Sequence, residues 1–290
     1  MRTCLSLALI FIACISRAEV CVEDDKQRQL CLAQPAQRII ALSPGATELL
    51  YSAGAGDQLI AAVSFSDYPE AAKTLPRVGS YDRFDLEAIL AMQPDLLIGW
   101  VSGNPSEQLA QLEKLGIPIY YSELRHFDDV SSTIRRLGKL AGTDQQSEQA
   151  ATDFSDGIAK LRQRYRNADK VRVFQQIWVN PLMTVNNQHM ISEATRLCGG
   201  DNIFGELSGL TTRIDQEAVL ARNPEAIVAG GMGEENPGWL DDWRRFDGLT
   251  AVRRNNLFFV PPSTLQRPTP RLLDGAKLLC QHLETARERR

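Results

Sequence analysis

The chain has 290 residues, a length that suggests about two domains at ~100–200 residues each. With 43% hydrophobic and 23% charged residues it has ordinary globular composition, which excludes wholesale disorder and fibrous repeats. Its 32 basic and 36 acidic side chains give a net charge of −4, without the basic excess of a nucleic-acid binder.

The first residues read as an export signal, 1–18. Arg2 is a basic start, Leu5 to Ile15 is an apolar run too short to span a bilayer, and Ser16-Arg17-Ala18 offers small residues at a cleavage site after Ala18. A minority reading is a lipoprotein signal, Phe11-Ile12-Ala13-Cys14, with Cys14 lipidated. No later segment is apolar enough to cross a membrane, so a soluble exported protein is expected. Four cysteines follow the signal: Cys21, Cys31, Cys198 and Cys280. An even number in an exported chain reads as two disulfides. Three pairings are open. Closing the short Cys21–Cys31 loop, whose charged centre suits a hairpin turn, is the local choice and would leave Cys198 to Cys280. A metal reading lacks C-x-x-C and nearby histidines.

Strand-like runs then alternate with helical ones. Arg38 to Leu42 is apolar, and Ser43-Pro44 starts a helix over Gly45 to Ala53, stopped by Gly54. Leu59 to Val63 is a strand. Asp85 to Met92 is a helix leading through Pro94 into strand Leu96 to Trp100. Gln108 to Leu115 is a helix, Ile117 to Tyr121 a strand, and Val130 to Ala141 a helix closed by Gly142. A long polar helix runs from about Gln145 to Asn167. The alternation restarts with strand Val171 to Val179, helix Ile191 to Cys198, helix Asp215 to Ala221, and strands Ala226 to Ala229 and Leu257 to Val260. It ends with helix Pro270 to Arg287. Such alternation argues for parallel βαβ units.

Residues 85–98 (DLEAILAMQPDLLI) echo residues 215–228 (DQEAVLARNPEAIV), with identity at six of 14 positions and an offset of 130. The expected fold is α/β: two Rossmann-like lobes joined by a single long helix. The expected division is a signal at 1–18, an N-terminal hairpin at 19–37, a lobe at 38–144, a linker helix at 145–169 and a second lobe at 170–290. A cleft between such lobes is a preferred small-molecule site.

Enzyme signatures are missing. There is no P-loop and no H-E-x-x-H, and Gly54-x-Gly56 lacks the third glycine of a dinucleotide fingerprint. Ser43 sits like a nucleophile elbow, but Ala41 stands where that motif needs glycine, so Ser43 reads as a helix cap. His126, His189 and His282 are scattered and read as surface or loop residues, which argues against a metal site. No catalytic residue and no resident cofactor is expected. Aromatics gather instead after strands: Phe65 and Tyr68, Tyr81, Trp100 and Trp178. Carboxyl ends of strands are where α/β sheets bind ligands, and flat rings suit a large planar one. Glu87 and Glu217 hold the same place in the two repeat copies. A helix-dipole role explains each, and a two-fold basic partner would explain both together.

The chain from about Arg38 to Arg287 resembles the class III substrate-binding proteins of ABC importers. The segments that carry the likeness are RIIALSPGATELL, SDYP, LPRVGSYDRFDLEAILAMQPDLLIGW, CGG at 198–200 and DQEAVLARNPEAIV. The ligands of that family are cobalamin, haem and iron siderophores, and the likeness is greatest to the cobalamin-binding members. It implies a Cys198–Cys280 disulfide and a corrinoid contacted by Tyr68, Tyr81, Trp100 and Arg267. It further implies docking to a permease dimer through Glu87 and Glu217, a monomeric state and small lobe motion on a stiff helical linker. The Cys21–Cys31 hairpin resembles that of iron-chelate binders. This sequence departs from the pattern in several places. Tyr81 replaces a Trp, Met183 stands where a Phe is expected, and Thr211 and Ser263 fall near the places of a ligand-facing Trp and an Asp. Trp178 is expected to compensate. Haem binders place a Tyr directly after Val-Gly, where this chain has Ser80.

Overall fold

The computed structural model describes residues 19–230 and 238–290. The export signal, its cleavage site and Cys14 lie outside the described residues.

Strands β1 (Val20–Glu23) and β2 (Gln29–Leu32) form an antiparallel hairpin that sets Cys21 opposite Cys31, and the two are bonded. The turn is pinned by buried Asp24, which accepts from the backbone of Lys26 and Arg28 and from the Arg28 guanidinium. Asp25 N donates to Tyr121 O at 2.9 Å, so the hairpin covers the edge of the first large sheet.

That sheet is built from β3 (Ile39–Ala41), then α1 (Pro44–Ser52) and β4 (Leu59–Ala62). Ser43 caps α1 by accepting from Ala46 N at 3.1 Å, with Pro44 at the first helical position, as the sequence predicts. A small hairpin, β5 (Gly79–Ser80) and β6 (Arg83–Phe84), precedes α2 (Leu86–Ala91) and β7 (Leu96–Trp100). Then come α3 (Ser106–Lys114), β8 (Ile119–Ser122) and α4 (Phe127–Ala141). The last of these starts three residues before the expected Val130, because Asp129 accepts from His126 N and closes the first turn.

After the 22-residue helix α5 (Asp144–Tyr165) the pattern repeats. The expected strand Val171 to Val179 is two strands. β9 (Val171–Gln176) stays in the large sheet, while β10 (Trp178–Val179) turns out to pair with β11 (Leu182–Val185) in a small antiparallel sheet. Next are α6 (Met190–Leu197), β12 (Gly200–Asn202), β13 (Thr211–Arg213), α7 (Gln216–Arg222) and β14 (Ala226–Ala229). The chain closes with α8 (Gly238–Asp241), α9 (Thr250–Arg253), β15 (Leu257–Phe259), α10 (Pro262–Leu265) and α11 (Leu272–Glu288).

Among the described residues the two large sheets are four-stranded and parallel, ordered β4-β3-β7-β8 and β12-β9-β14-β15. Numbering strands within each sheet, both read second-first-third-fourth. The echo at 130 residues is therefore an echo of topology. Each sheet has its own outer core, around Ile89 and Leu112 in one and Phe174 and Trp243 in the other. The inner faces share one core that runs from Ile39 and Leu50 through Ala151, Phe154 and Ile158 of α5 to Val173 and Leu283. The Cys198–Cys280 disulfide lies within it, both residues fully buried.

Candidate functional site

Parallel sheets of this order bind ligands at their carboxyl ends, where the crossovers on either side of the first strand diverge. In the first sheet that edge is unusually apolar on its outside. Phe65, Tyr68, Tyr81, Trp100 and Val101 are exposed there, Phe65 by 71% and Trp100 by 37%. Large exposed apolar side chains elsewhere among the described residues are Leu90 and Leu115. Clustering of this kind marks an interaction site, whereas scattered exposed residues need no explanation.

The chain holds these rings rigidly. Tyr81 and Trp100 lie 5.9 Å apart, tilted by 46°. Buried Asn104 fixes both: its amide donates to Tyr81 O at 2.7 Å and to Leu42 O at 2.9 Å, and its carbonyl accepts from Trp100 N at 2.6 Å. Gly103 is needed because a Cβ there would collide with the Trp100 ring. Phe65 adopts a positive φ of 64°, and Thr47, fully buried on α1, donates to Ser66 Oγ at 3.0 Å, anchoring the same loop.

The second sheet presents Trp178 and Met183 directly opposite one another in the β10–β11 register, both half-buried. Trp178 Nε1 donates to Asn180 O, and its ring packs edge-on against Trp239 of α8 at 6.0 Å and 68°. Trp243 Nε1 donates to Gln176 Oε1 at 2.8 Å, tying the segment after α8 to the carboxyl end of β9. Thr211 is exposed on β13, one strand further out. Ser263 is buried on α10 and accepts from Arg271 Nη2 at 2.8 Å.

The two edges meet at Arg267. The segment leaving β15 through α10 reaches the loop leaving β4, and Arg267 Nη1 contacts Glu48 Oε1 at 3.0 Å and Asp67 Oδ1 at 2.8 Å. Its Nη2 donates to Phe65 O at 3.3 Å. Arg271 stands 3.5 Å from the same Glu48 oxygen and 4.2 Å over the Tyr68 ring. Thr269 Oγ1 donates to Glu48 Oε2 at 2.9 Å. Burial pushes the Glu48 carboxyl above its ordinary value, outweighing the pull of Arg267 and Thr269. Partial burial acts the same way on Asp67, but there Arg267 prevails and the pKa is lowered. A second cross-contact joins the lobes at α6: Glu193 Oε2 accepts from Phe127 N at 2.9 Å and lies 3.5 Å from His126.

Glu87 and Glu217 both lie exposed in the first turns of α2 and α7. Their settings match in detail. Asp85 and Asp215 cap the helices, and Gln93 and Asn223 both take positive φ at the exits. The guanidinium groups of Arg38 and Arg172 satisfy the carbonyls at those exits, of Met92 and Gln93 and of Arg222 and Asn223. His126 and His189 lie in loops as expected, each just before a helix, and His189 caps α6 by accepting from Ile191 N at 3.1 Å. His282 departs from the expectation: it lies within α11, partly buried, and stacks on Phe258 of β15 at 4.6 Å.

Sequence reading missed Asn104, Glu48, Arg271 and Trp239. A polar residue inside TELL or after a Gly carries no local signal, because its partners are far away in sequence. Trp239 follows no strand directly.

Two lobes of one topology, tied at their carboxyl edges by an ionic cluster and flanked by open aromatic rings, have the architecture of a small-molecule binding protein, for which the cleft between lobes is a preferred site. The comparisons agree and are more specific. The chain belongs to the periplasmic binding protein family, whose model matches residues 39–264. It is 38% identical over 244 residues to the vitamin B12-binding protein of Vibrio campbellii, covering 84% of this chain and 88% of that one. It is also similar to the crystal structure of the periplasmic vitamin B12-binding protein BtuF of Vibrio cholerae, with a TM-score of 0.82 and 35% identity over 88% of this chain and 99% of the other. The haem-binding protein RhuT of Roseiflexus sp. RS-1 shares the fold at a TM-score of 0.77, with 23% identity over 87% and 99% of the two chains.

Proposed function

We propose that the protein is exported, captures a corrinoid such as cobalamin between its lobes and delivers it to a membrane ABC importer, making and breaking no bond. The observation that carries this reading is the row of exposed rings, Phe65, Tyr68, Tyr81 and Trp100, on the carboxyl edge of the first sheet. The 38% identity to a vitamin B12-binding protein supports the choice of ligand. In this reading Trp178 and Met183 supply the opposite wall and Arg267 a charged contact. Rings of this size bury 150–250 Å² each on average, which suits a broad, partly apolar ligand face. Glu87 and Glu217, matched in exposure and setting, would meet basic residues on a permease dimer. The division into hairpin, two lobes and linker follows the same reading, with α5 as the linker and the shared core limiting lobe motion.

Parallel calorimetric titrations with cyanocobalamin and haemin test the assignment. Saturable binding of cyanocobalamin is expected. Saturable haemin binding with no cobalamin heat would sink it, and Tyr81, a phenol on the exposed edge, would then be the first residue to replace.

A further inference from the structure

Resting on that reading, we infer that Glu48 is the positioning residue of the cleft and that Asp67 is an internal competitor for the ligand. One buried carboxylate on α1 anchors Arg267 and faces Arg271, and one exposed carboxylate shares Arg267 with whatever oxygen the ligand presents.

The geometry is asymmetric. Glu48 has a side chain only 2% exposed, and its oxygens are taken up by Arg267, Thr269 and Arg271. All three partners lie more than 200 residues away in sequence, beyond β15. The same carboxylate also faces Arg271, the cation that lies over the Tyr68 ring. Asp67 touches the same Nη1 of Arg267, yet its side chain is 52% exposed. Separating Arg267 from Glu48 would strand a charge in a dry setting, whereas water can take over Asp67 at little cost. When an acceptor oxygen of the ligand, whether phosphodiester, carboxylate or amide carbonyl, reaches the guanidinium, Asp67 is therefore the partner that yields. Arg267 stays aimed because Glu48 and Phe65 O still hold it. The cluster has two cations and two carboxylates. Loss of the Asp67 contact leaves Arg267 with a surplus of positive charge to offer the ligand, and this makes Asp67 a brake on affinity.

The test uses the full mature chain with Asp67→Asn and Glu48→Gln. Side-chain ¹H–¹⁵N spectra of the arginines, recorded without ligand, read positioning by itself. Arg267 should show slowly exchanging guanidinium protons in the parent and in Asp67→Asn, and lose them in Glu48→Gln, whereas Arg271, also held by Ser263 Oγ, should keep its own. Equal loss in both variants, or loss in neither, overturns the anchor role. In the titration Asp67→Asn should bind cyanocobalamin about threefold to tenfold more tightly, with a weaker salt dependence, and Glu48→Gln at least tenfold more weakly. Unchanged or weaker binding by Asp67→Asn refutes the competition. Asp67 is exposed, so this arm stands even if Glu48→Gln fails to fold. If the parent binds haemin and not cyanocobalamin, the corrinoid reading falls and the same ratio is read with haemin. Binding of neither ligand refutes the competition too, while the spectra still decide the positioning.

Discussion

Replacing Cys198 and Cys280 together by alanine removes the cross-link between the end of α6 and the middle of α11, which encloses a segment with a sequence separation of 82. That segment carries β12, β14 and β15, three of the four strands of the second sheet. In the chain-entropy description a loop of this length costs the unfolded state about 4.5 kcal/mol of freedom, against about 2.8 kcal/mol for the ten-residue separation of Cys21 and Cys31. Domain stabilities are about 5–15 kcal/mol, so the larger loss is a substantial fraction of the whole. The shared core through α5 makes one cooperative transition the expected behaviour. At about 2–4 °C per kcal/mol the double replacement should lower Tm by about 9–18 °C, and removal of the Cys21–Cys31 pair by about 6–11 °C. Thermal melts followed by circular dichroism, with unfolding in urea as a second measure, give both numbers. If removing the Cys198–Cys280 bond costs no more than removing the Cys21–Cys31 bond, loop closure is not what these bonds contribute. Ligand affinity near 25 °C should hardly change, because neither sulfur lies at the carboxyl edges.

Trp100 still exposes 37% of its surface, roughly 90 Å² for a ring of its size, so Trp100→Ala should weaken ligand binding by about 2 kcal/mol, or about 30-fold in Kd. Calorimetric Kd values check this, and a change of less than about threefold would place the ring outside the site. His189 has its pKa lowered to about 4, first by burial and then by Arg125. A depressed histidine contributes stability that is present above the unfolded value of about 6.5 and lost as pH falls towards 4, worth about 3 kcal/mol across that window. Neighbouring Glu193, raised by burial, acts in the opposite sense, so urea midpoints of the parent should be compared with His189→Asn. The difference between the two should close as pH drops from 6.5 to 4, and a constant difference would refute the linkage. Finally, Glu87→Ala with Glu217→Ala should abolish corrinoid uptake by cells while leaving Kd intact. A parallel loss of affinity would mean that these acids do not serve docking.

Much of this was legible along the chain because it is local. Ser43-Pro44, Asp85 and Asp215 announce helix starts, since a cap and the amides it satisfies lie within three residues. The echo between 85–98 and 215–228 foretold two lobes because the same helix, turn and strand must satisfy the same backbone groups. The structure adds the Arg38 and Arg172 contacts that complete each copy. The boundary errors came where a side chain decided the register. Asp129 extended α4 backwards, and the strand expected through Val179 broke at Ile177 because Trp178 pairs with Met183 in another sheet.

By itself the sequence determined the class of fold, the four cysteines available for bonding and the loops in which aromatic rings would lie, because alternation, capping and turn chemistry are set within a few residues. Which rings stay open, which carboxylate is buried and which arginine joins the lobes were decided only by tertiary structure. Glu48 and Arg267 are 219 residues apart, and nothing near either one fixes their meeting. Burial, which separates Glu48 from Asp67 although both are carboxylates against the same guanidinium, is a property of packed surfaces and of the water they exclude.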